Sequence, residues 1–266
     1  MIRLWIGLTI VFLFGLVAIA APWIVPHDPQ AMSLTERLEA PSANHPLGLD
    51  ENGTDVLSRL IFGSRVSLGV ALAVVLVCGL IGLLVGSWAG YKGGWTDILI
   101  MRVIDIFHAF PGFLIALALV AVMGPSVRNL IFAICLTSWT SFARLVRAEV
   151  LHLKEREHVN AARAVGAGHI RLLIIHIWPS LYSLLIIQAT FAMASTIIAE
   201  SGLSFLGLGV PADTPTWGSL LNSGRRVLSE APHISFSAGF AIKILATGFN
   251  LLGDGLRDFL DPRRAS

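Results

Sequence analysis

The 266 residues carry 55% hydrophobic and only 14% charged side chains, with a mean hydropathy of +0.76, too apolar for a soluble globular domain. A formal charge of +2, spread along the chain in short clusters, argues against a nucleic-acid partner. Cys78 and Cys135 both sit inside apolar runs, as small hydrophobes rather than a disulfide framework. The class left is an all-α polytopic protein of the lipid bilayer.

Apolar stretches near the roughly 20 residues that a bilayer requires occur six times, at 4–25, 68–89, 104–123, 129–146, 181–201 and 234–252. The first follows Arg3 and contains Ala18, Ala20 and Ala21, as a secretory leader would, but it continues through Pro22, Trp23 and Ile24 and is long enough to span. Between the first two spans, residues 26–65 form an external lobe rich in proline, asparagine and aspartate. Its last part, HPLGLDENGTDVLSRLIFGSR from His45 to Arg65, sets Asp50 and Asp55 around the turn former Gly53. An amphipathic helix through Val56, Leu57, Leu60 and Ile61 then follows. Asp50, Glu51 and Asp55 lack the alternating ligands and closing glutamate of an EF-hand, so they read as turn chemistry rather than calcium ligands.

Pro111 and Gly112 interrupt the third span, and Gly124 and Pro125 leave a tight turn before the fourth. Arg102 and Asp105, three apart, are placed to pair on one helical face. Phe107, His108 and Phe110 precede the proline and are candidates to line a path; an isolated histidine is not read as a metal ligand. His27, His45 and His233 lie on external loops without paired ligand spacing, so no metal is expected.

Residues 155–179, EREHVNAARAVGAGHIRLLIIHIWP, form a polar, basic interruption between two apolar runs. They read as helix, glycine hinge, helix. Ala161, Ala162 and Ala164 surround Asn160 and Arg163, and Gly166 breaks the pattern. Ile170, Leu173, Ile174 and Ile177 then give one apolar face, which Pro179 ends. Such a hairpin needs a partner for its exposed side. The loop at 200–221 is broken by glycines and reads as irregular backbone at the external face, with Pro211, Pro215 and Trp217 as a stiff turn and an interfacial anchor. Lys243 falls within the last span, where an ion faces the bundle interior or a water-filled path by default.

With the amino terminus inside, twelve lysines and arginines fall on the cytoplasmic side, Arg263 and Arg264 among them, and six fall outside. This asymmetry places both termini and the hairpin in the cytoplasm. The three lysines, Lys92, Lys154 and Lys243, follow Tyr91, Leu153 and Ile242, so none completes a phosphate-binding loop. No HExxH or GxSxG pattern occurs either.

Four blocks carry a family resemblance: His45 to Arg65, VNAARAVGA from Val159 to Ala167, ESGLSFLGLGVPADTPTWGSLL from Glu200 to Leu221, and FNLLGDGLRDFLDPR from Phe249 to Arg263. The chain resembles an inner-membrane permease subunit of a binding-protein-dependent ABC importer, in the dipeptide, oligopeptide and nickel branch, of the second-permease type. The resemblance implies a type I transmembrane core at 66–254, preceded by a helix and lobe at 1–65 and followed by a cytoplasmic tail at 255–266. It implies a related second permease, two cytoplasmic ATPase domains that hold ATP and magnesium, an extracytoplasmic binding protein, and no catalytic residue in this chain. Val159, Asn160, Ala161, Ala162, Arg163, Gly166 and Ala167 would couple to the ATPase. The broader motif has glutamate where this chain has Asn160, which removes a charge from that surface. Asp50, Asp55, Pro215 and Trp217 would meet the binding protein, and Lys243, Phe107, His108 and Phe110 would border the path. Peptide is the first expectation for substrate, with nickel or a metal chelate beside it. An ion-coupled transporter or channel, with Lys243, Asp105 and Arg102 as a relay, is the alternative from another class.

Overall fold

In the computed structural model, which describes residues 1–211 and 213–260, the long apolar runs all fold as helices. They are α1 (Ile2–Ile24), α2 (Val56–Lys92), α3 (Gly94–His108), α4 (Gly112–Met123), α5 (Val127–Leu153), α6 (Glu157–Ala164), α7 (His169–Arg171), α8 (Trp178–Phe205), α9 (Trp217–Arg226) and α10 (Pro232–Leu260). Five rods are long and apolar enough to cross a membrane, or six when α3 and α4 count as one bent span. An isolated bridge between Leu49 and Asp55 is the one β feature among the described residues. Arg263 and Arg264, counted above on the cytoplasmic side, and the end of the 255–266 tail lie outside the described residues.

Four expected boundaries move. The third span is two helices bent by 76°. Pro111 caps α4 from outside with an extended ψ of 118°, and its ring disfavours a helical residue before it. α3 buries only Ile104 and is held to α5 by ion pairs. Arg147 grips Asp97 with two hydrogen bonds of 2.6 and 2.5 Å, and Arg144 reaches Asp105 at 2.9 Å. The expected Arg102–Asp105 pair is therefore replaced by one between helices.

Pro179 does not end its helix. A π-helical stretch, Leu172–Ile177, joins α7 to α8, and Pro179 sits in the first turn of α8, so that His169–Phe205 is one rod of 37 residues. A missing N–H is tolerated where the wider turn has already broken the regular ladder. The same rod runs on through Gly202 and stops only before Gly207, whose φ is +80°. Irregular backbone thus begins later than expected. The amphipathic helix expected from Val56 is the opening of α2, which continues unbroken for 37 residues and across the boundary drawn at 65/66.

Close packing in lipid relies on small residues, because apolar side chains gain nothing by leaving apolar tails. Along α2, Gly82, Gly86 and Gly90 recur every fourth residue against α5. A Cβ at Gly82 would lie 2.3 Å from the Phe142 Cβ, and one at Gly86 2.4 Å from the Ala143 carbonyl. A second seam joins α1 to α10, where a Cβ on Gly7 would lie 2.4 Å from the Leu252 nitrogen. These seams carry the lobe on one end of α2 and the hairpin on the other.

Candidate functional site

At the hairpin end, the short helix α6 is held by its inner face. Val159 is fully buried with Leu153, Leu172, Ile177 and Leu181, and Ala162 and Ala167 pack against the same cluster. The Ala167 N–H donates to the Ala162 carbonyl at 3.0 Å, closing the turn around Gly166. Gly166 has a φ of +90° with nothing within 4 Å of an added Cβ, so backbone conformation alone asks for glycine there. Asn160 donates to the Glu155 carbonyl at 3.0 Å and accepts from Arg163 at 3.2 Å. It ties the helix start to itself and offers no charge outward. Tyr91 fastens α2 to His169 at 2.9 Å.

The outer face is open: Val165 is 87% and Ile170 71% exposed, and Ala161, Arg163 and Ala164 are exposed beside them. The expected face of Ile170, Leu173, Ile174 and Ile177 is corrected. Leu172, Leu173 and Ile177 are the buried set, and Ile170 and Ile174 point away, because the π-helical turn changes the register that regular spacing assumes.

At the other end, Asp50 is fully buried and its Oδ1 accepts from the Asn52 N–H, the Thr54 N–H and the Thr54 hydroxyl at 2.9, 3.0 and 2.7 Å. Its other oxygen pairs with Arg59. Asp55 caps α2 by accepting from the Ser58 N–H at 2.7 Å, and it meets His45 Nδ1 at 2.9 Å. Burial pushes the Asp55 carboxyl pKa up, but hydrogen bonds from Ser58 and His45, with the charge of His27, bring it below the usual range. Trp217 is buried, donates its Nε1–H to the Leu60 carbonyl at 2.9 Å and stands edge-on to Phe14. Pro215 is buried beside it.

The four residues expected to touch a delivery protein therefore build the lobe from within and offer no surface. Their polar atoms are consumed by turn amides and Arg59, and the Trp217 ring by packing. The fold also brings together His27, His45 and Asp55, whose ligand atoms lie within 4.8 Å of one another; chain spacing gives no hint of this.

Between the two ends, a cleft of about 270 Å³ opens among α2, α5 and α8, with Ser138, Ser141, Gln188, Ser195 and Thr196 on its walls. A neighbouring cleft of about 180 Å³ against α4 shares Ser138, Ser195 and Thr196 and adds Thr137 and Phe113. Hydroxyl and amide groups converging on a cleft within an apolar bundle make a place for water or a polar solute. Sequence reasoning missed this face, although Thr137, Ser138 and Ser141 recur at helical spacing.

The residues expected along the path line neither cleft. Phe107 rests edge-on against Trp139 at 6.1 Å, Phe110 is 63% exposed, and His108 is exposed at the α3–α4 bend. Lys243 is exposed on α10 and lines neither cleft. A further polar group, Glu200, is fully buried where α8 meets α2 and accepts from the hydroxyls of Ser204, Ser67 and Ser201 at 2.9, 3.0 and 3.3 Å.

Residues 82–266 match the family described as binding-protein-dependent transport system inner membrane component, and residues 4–41 match the N-terminal transmembrane domain of oligopeptide transport permease C. The chain is 40% identical over 261 residues to the dipeptide transport system permease protein of Alkalihalophilus pseudofirmus, covering 98% of this chain and 86% of that one. It is 41% identical over 257 residues to the nickel transport system permease protein of Escherichia coli K12, covering 97% and 93%. With the glutathione transport system permease protein of Pectobacterium atrosepticum it shares 42% over 258 residues, covering 96% and 86%. By fold, by matched length and by these relatives, the chain belongs to the inner-membrane permease subunits of binding-protein-dependent ABC importers, in the dipeptide, oligopeptide and nickel family.

Proposed function

We propose that the chain forms half of an ATP-driven import path for peptides and receives its drive through the hairpin of α6, Gly166 and α7. The observation that carries this reading is the hairpin's two-sidedness. Its inner face is locked to α5 and α8 by buried Val159, Leu172 and Ile177, while Val165 and Ile170 stand exposed on the outside. A push on the outer face passes to two spanning rods. A cytoplasmic ATPase with bound ATP and magnesium supplies that push, and a related second permease completes the path. The hydroxyl-lined clefts against α5 and α8 are this chain's share of it. Both termini lie in the cytoplasm of a bacterial inner membrane, as the excess of basic residues on that side supports.

An extracytoplasmic binding protein docks on the lobe surface that Asp50, Asp55 and Trp217 hold in shape. Peptide is the cargo favoured by relatives named for dipeptide and glutathione, and nickel is the second reading because one relative is named for it. The test is recovery of partners with the tagged chain from mild detergent. The native chain is expected to bring down an ATPase and a second permease. Val165→Glu and Gly166→Pro should lose the ATPase and keep the permease. A native chain that recovers no ATPase, with uptake sustained by a proton gradient alone, overturns the reading in favour of ion coupling.

A further inference from the structure

We infer that the lobe binds one first-row divalent cation, of the Zn²⁺ or Ni²⁺ kind, between His27, His45 and Asp55. One ligand atom from each residue lies within 4.8 Å of the others. Two ligands about 2.1 Å from a common ion lie at most about 4.2 Å apart, so a small inward movement of one ring completes the set. His27 is free to make it: its side chain is 42% exposed, against 20% for His45 and 1% for Asp55.

The rest of the triad is fixed in advance. Asp55 is held by the Ser58 N–H at 2.7 Å as the cap of α2. The Ser58 hydroxyl accepts from the His27 backbone N–H at 3.0 Å, and the His45 N–H donates to the Ser42 hydroxyl at 3.1 Å. The two imidazole rings lie 4.5 Å apart, tilted by 34°.

A plain capping arrangement accounts for His45, which hydrogen-bonds Asp55 at 2.9 Å. The His27 ring adds only a charge contact, 3.8 Å from the same carboxylate, and makes no side-chain hydrogen bond among the described residues. Two imidazoles and one carboxylate suit zinc or nickel, whereas calcium and magnesium prefer oxygen alone. The exposed side of His27 leaves room for water at the remaining positions. A bound ion would clasp the chain just beyond α1 to the start of α2, closing the lobe between them. The inference is independent of the transport reading.

The test uses the full chain in detergent, stripped with chelator and purified without a polyhistidine tag, titrated calorimetrically with Zn²⁺ and with Ni²⁺. One ion per chain is expected for at least one metal, together with a rise in the unfolding temperature. His27→Ala leaves the Asp55 cap and the Asp50–Arg59 pair in place. It should weaken binding by more than the about 100-fold that loss of an outer-shell partner can cost, and it should abolish the thermal shift while changing the metal-free unfolding temperature by less than that shift. His27→Cys, which returns a zinc ligand to the same place, should restore zinc binding. Absence of stoichiometric binding by the native chain, or equal binding by His27→Ala through other histidines, overturns the inference.

Discussion

The lobe and the hairpin both connect spanning helices, one at each end of α2, yet different forces hold them. In the lobe, fully buried Asp50 and nearly buried Asp55 are surrounded by turn amides, Arg59 and His45, so its interior is electrostatic and all four carboxylate oxygens have defined partners, while the Arg59 Nε has none. In the hairpin, Val159, Leu172 and Ile177 pack without a buried charge, and the outer side is left exposed, with Val165 and Ile170 beside Arg163. A polar interior is exacting, because removing one member strands the rest. An apolar interior yields by degrees. A module that must keep its shape is well served by the first, and one that moves as a unit against a partner, as proposed for the hairpin, by the second.

Four changes sharpen this contrast, beginning with the largest. Asp50→Ala should strand the buried Arg59 guanidinium and cost about 3–5 kcal/mol, read as a fall in the unfolding midpoint in detergent with lobe amides losing exchange protection first. The matching change in the hairpin, Val159→Ala, should cost only about 2 kcal/mol, with the lobe still protected; equal losses in both regions would remove the distinction. Glycine-to-alanine changes at two positive-φ positions separate strain from space. Gly166→Ala should cost about 1–2 kcal/mol from backbone strain alone. Gly48→Ala, at a φ of +71°, would also place its Cβ 2.6 Å from the Glu39 carbonyl and should cost clearly more in the same denaturation assay.

The smallest effect is one of pH. The Asp55 carboxyl titrates lower in the fold than in the unfolded chain. Its stabilisation is therefore complete above the unfolded value of about 3.9 and is lost as pH falls from there through the folded value. Hydrogen exchange at the first amides of α2, corrected for intrinsic rates, should rise below about pH 4, with no matching change at Val159.

The spans were legible because a bilayer imposes a length on apolar runs, and the hairpin because two such runs bracket a polar one with a glycine at its hinge. What stayed hidden depended on neighbours rather than on local pattern. Leu172 replaces Ile170 in the buried set through a π-helical turn, which no regular spacing encodes. Asp105 pairs with Arg144 of another helix instead of Arg102 on its own. Asp50, Asp55 and Trp217 read as surface residues because charge and aromaticity usually mark surfaces and interfaces, whereas here Arg59 and Phe14 draw them inward. The GxxxGxxxG run at Gly82, Gly86 and Gly90 was present in the chain, but glycine within a long apolar span is ambiguous until the facing helix is known. His27 and His45 meet only because the lobe folds back on the start of α2.

The unbroken course of α2 has a consequence for how this chain can diverge. At 1.5 Å per residue its 37 residues make a rod about 55 Å long, capped inside the lobe at Asp55 and ending beside the hairpin at Lys92. Because the rod has no hinge, one inserted residue would turn everything beyond it by about 100°. The lobe would then face a different direction from the glycine seam and from the hairpin. Insertions and deletions inside α2 are thus incompatible with the present arrangement of lobe, seam and hairpin. The rod fixes the rotational phase between the two ends of the molecule.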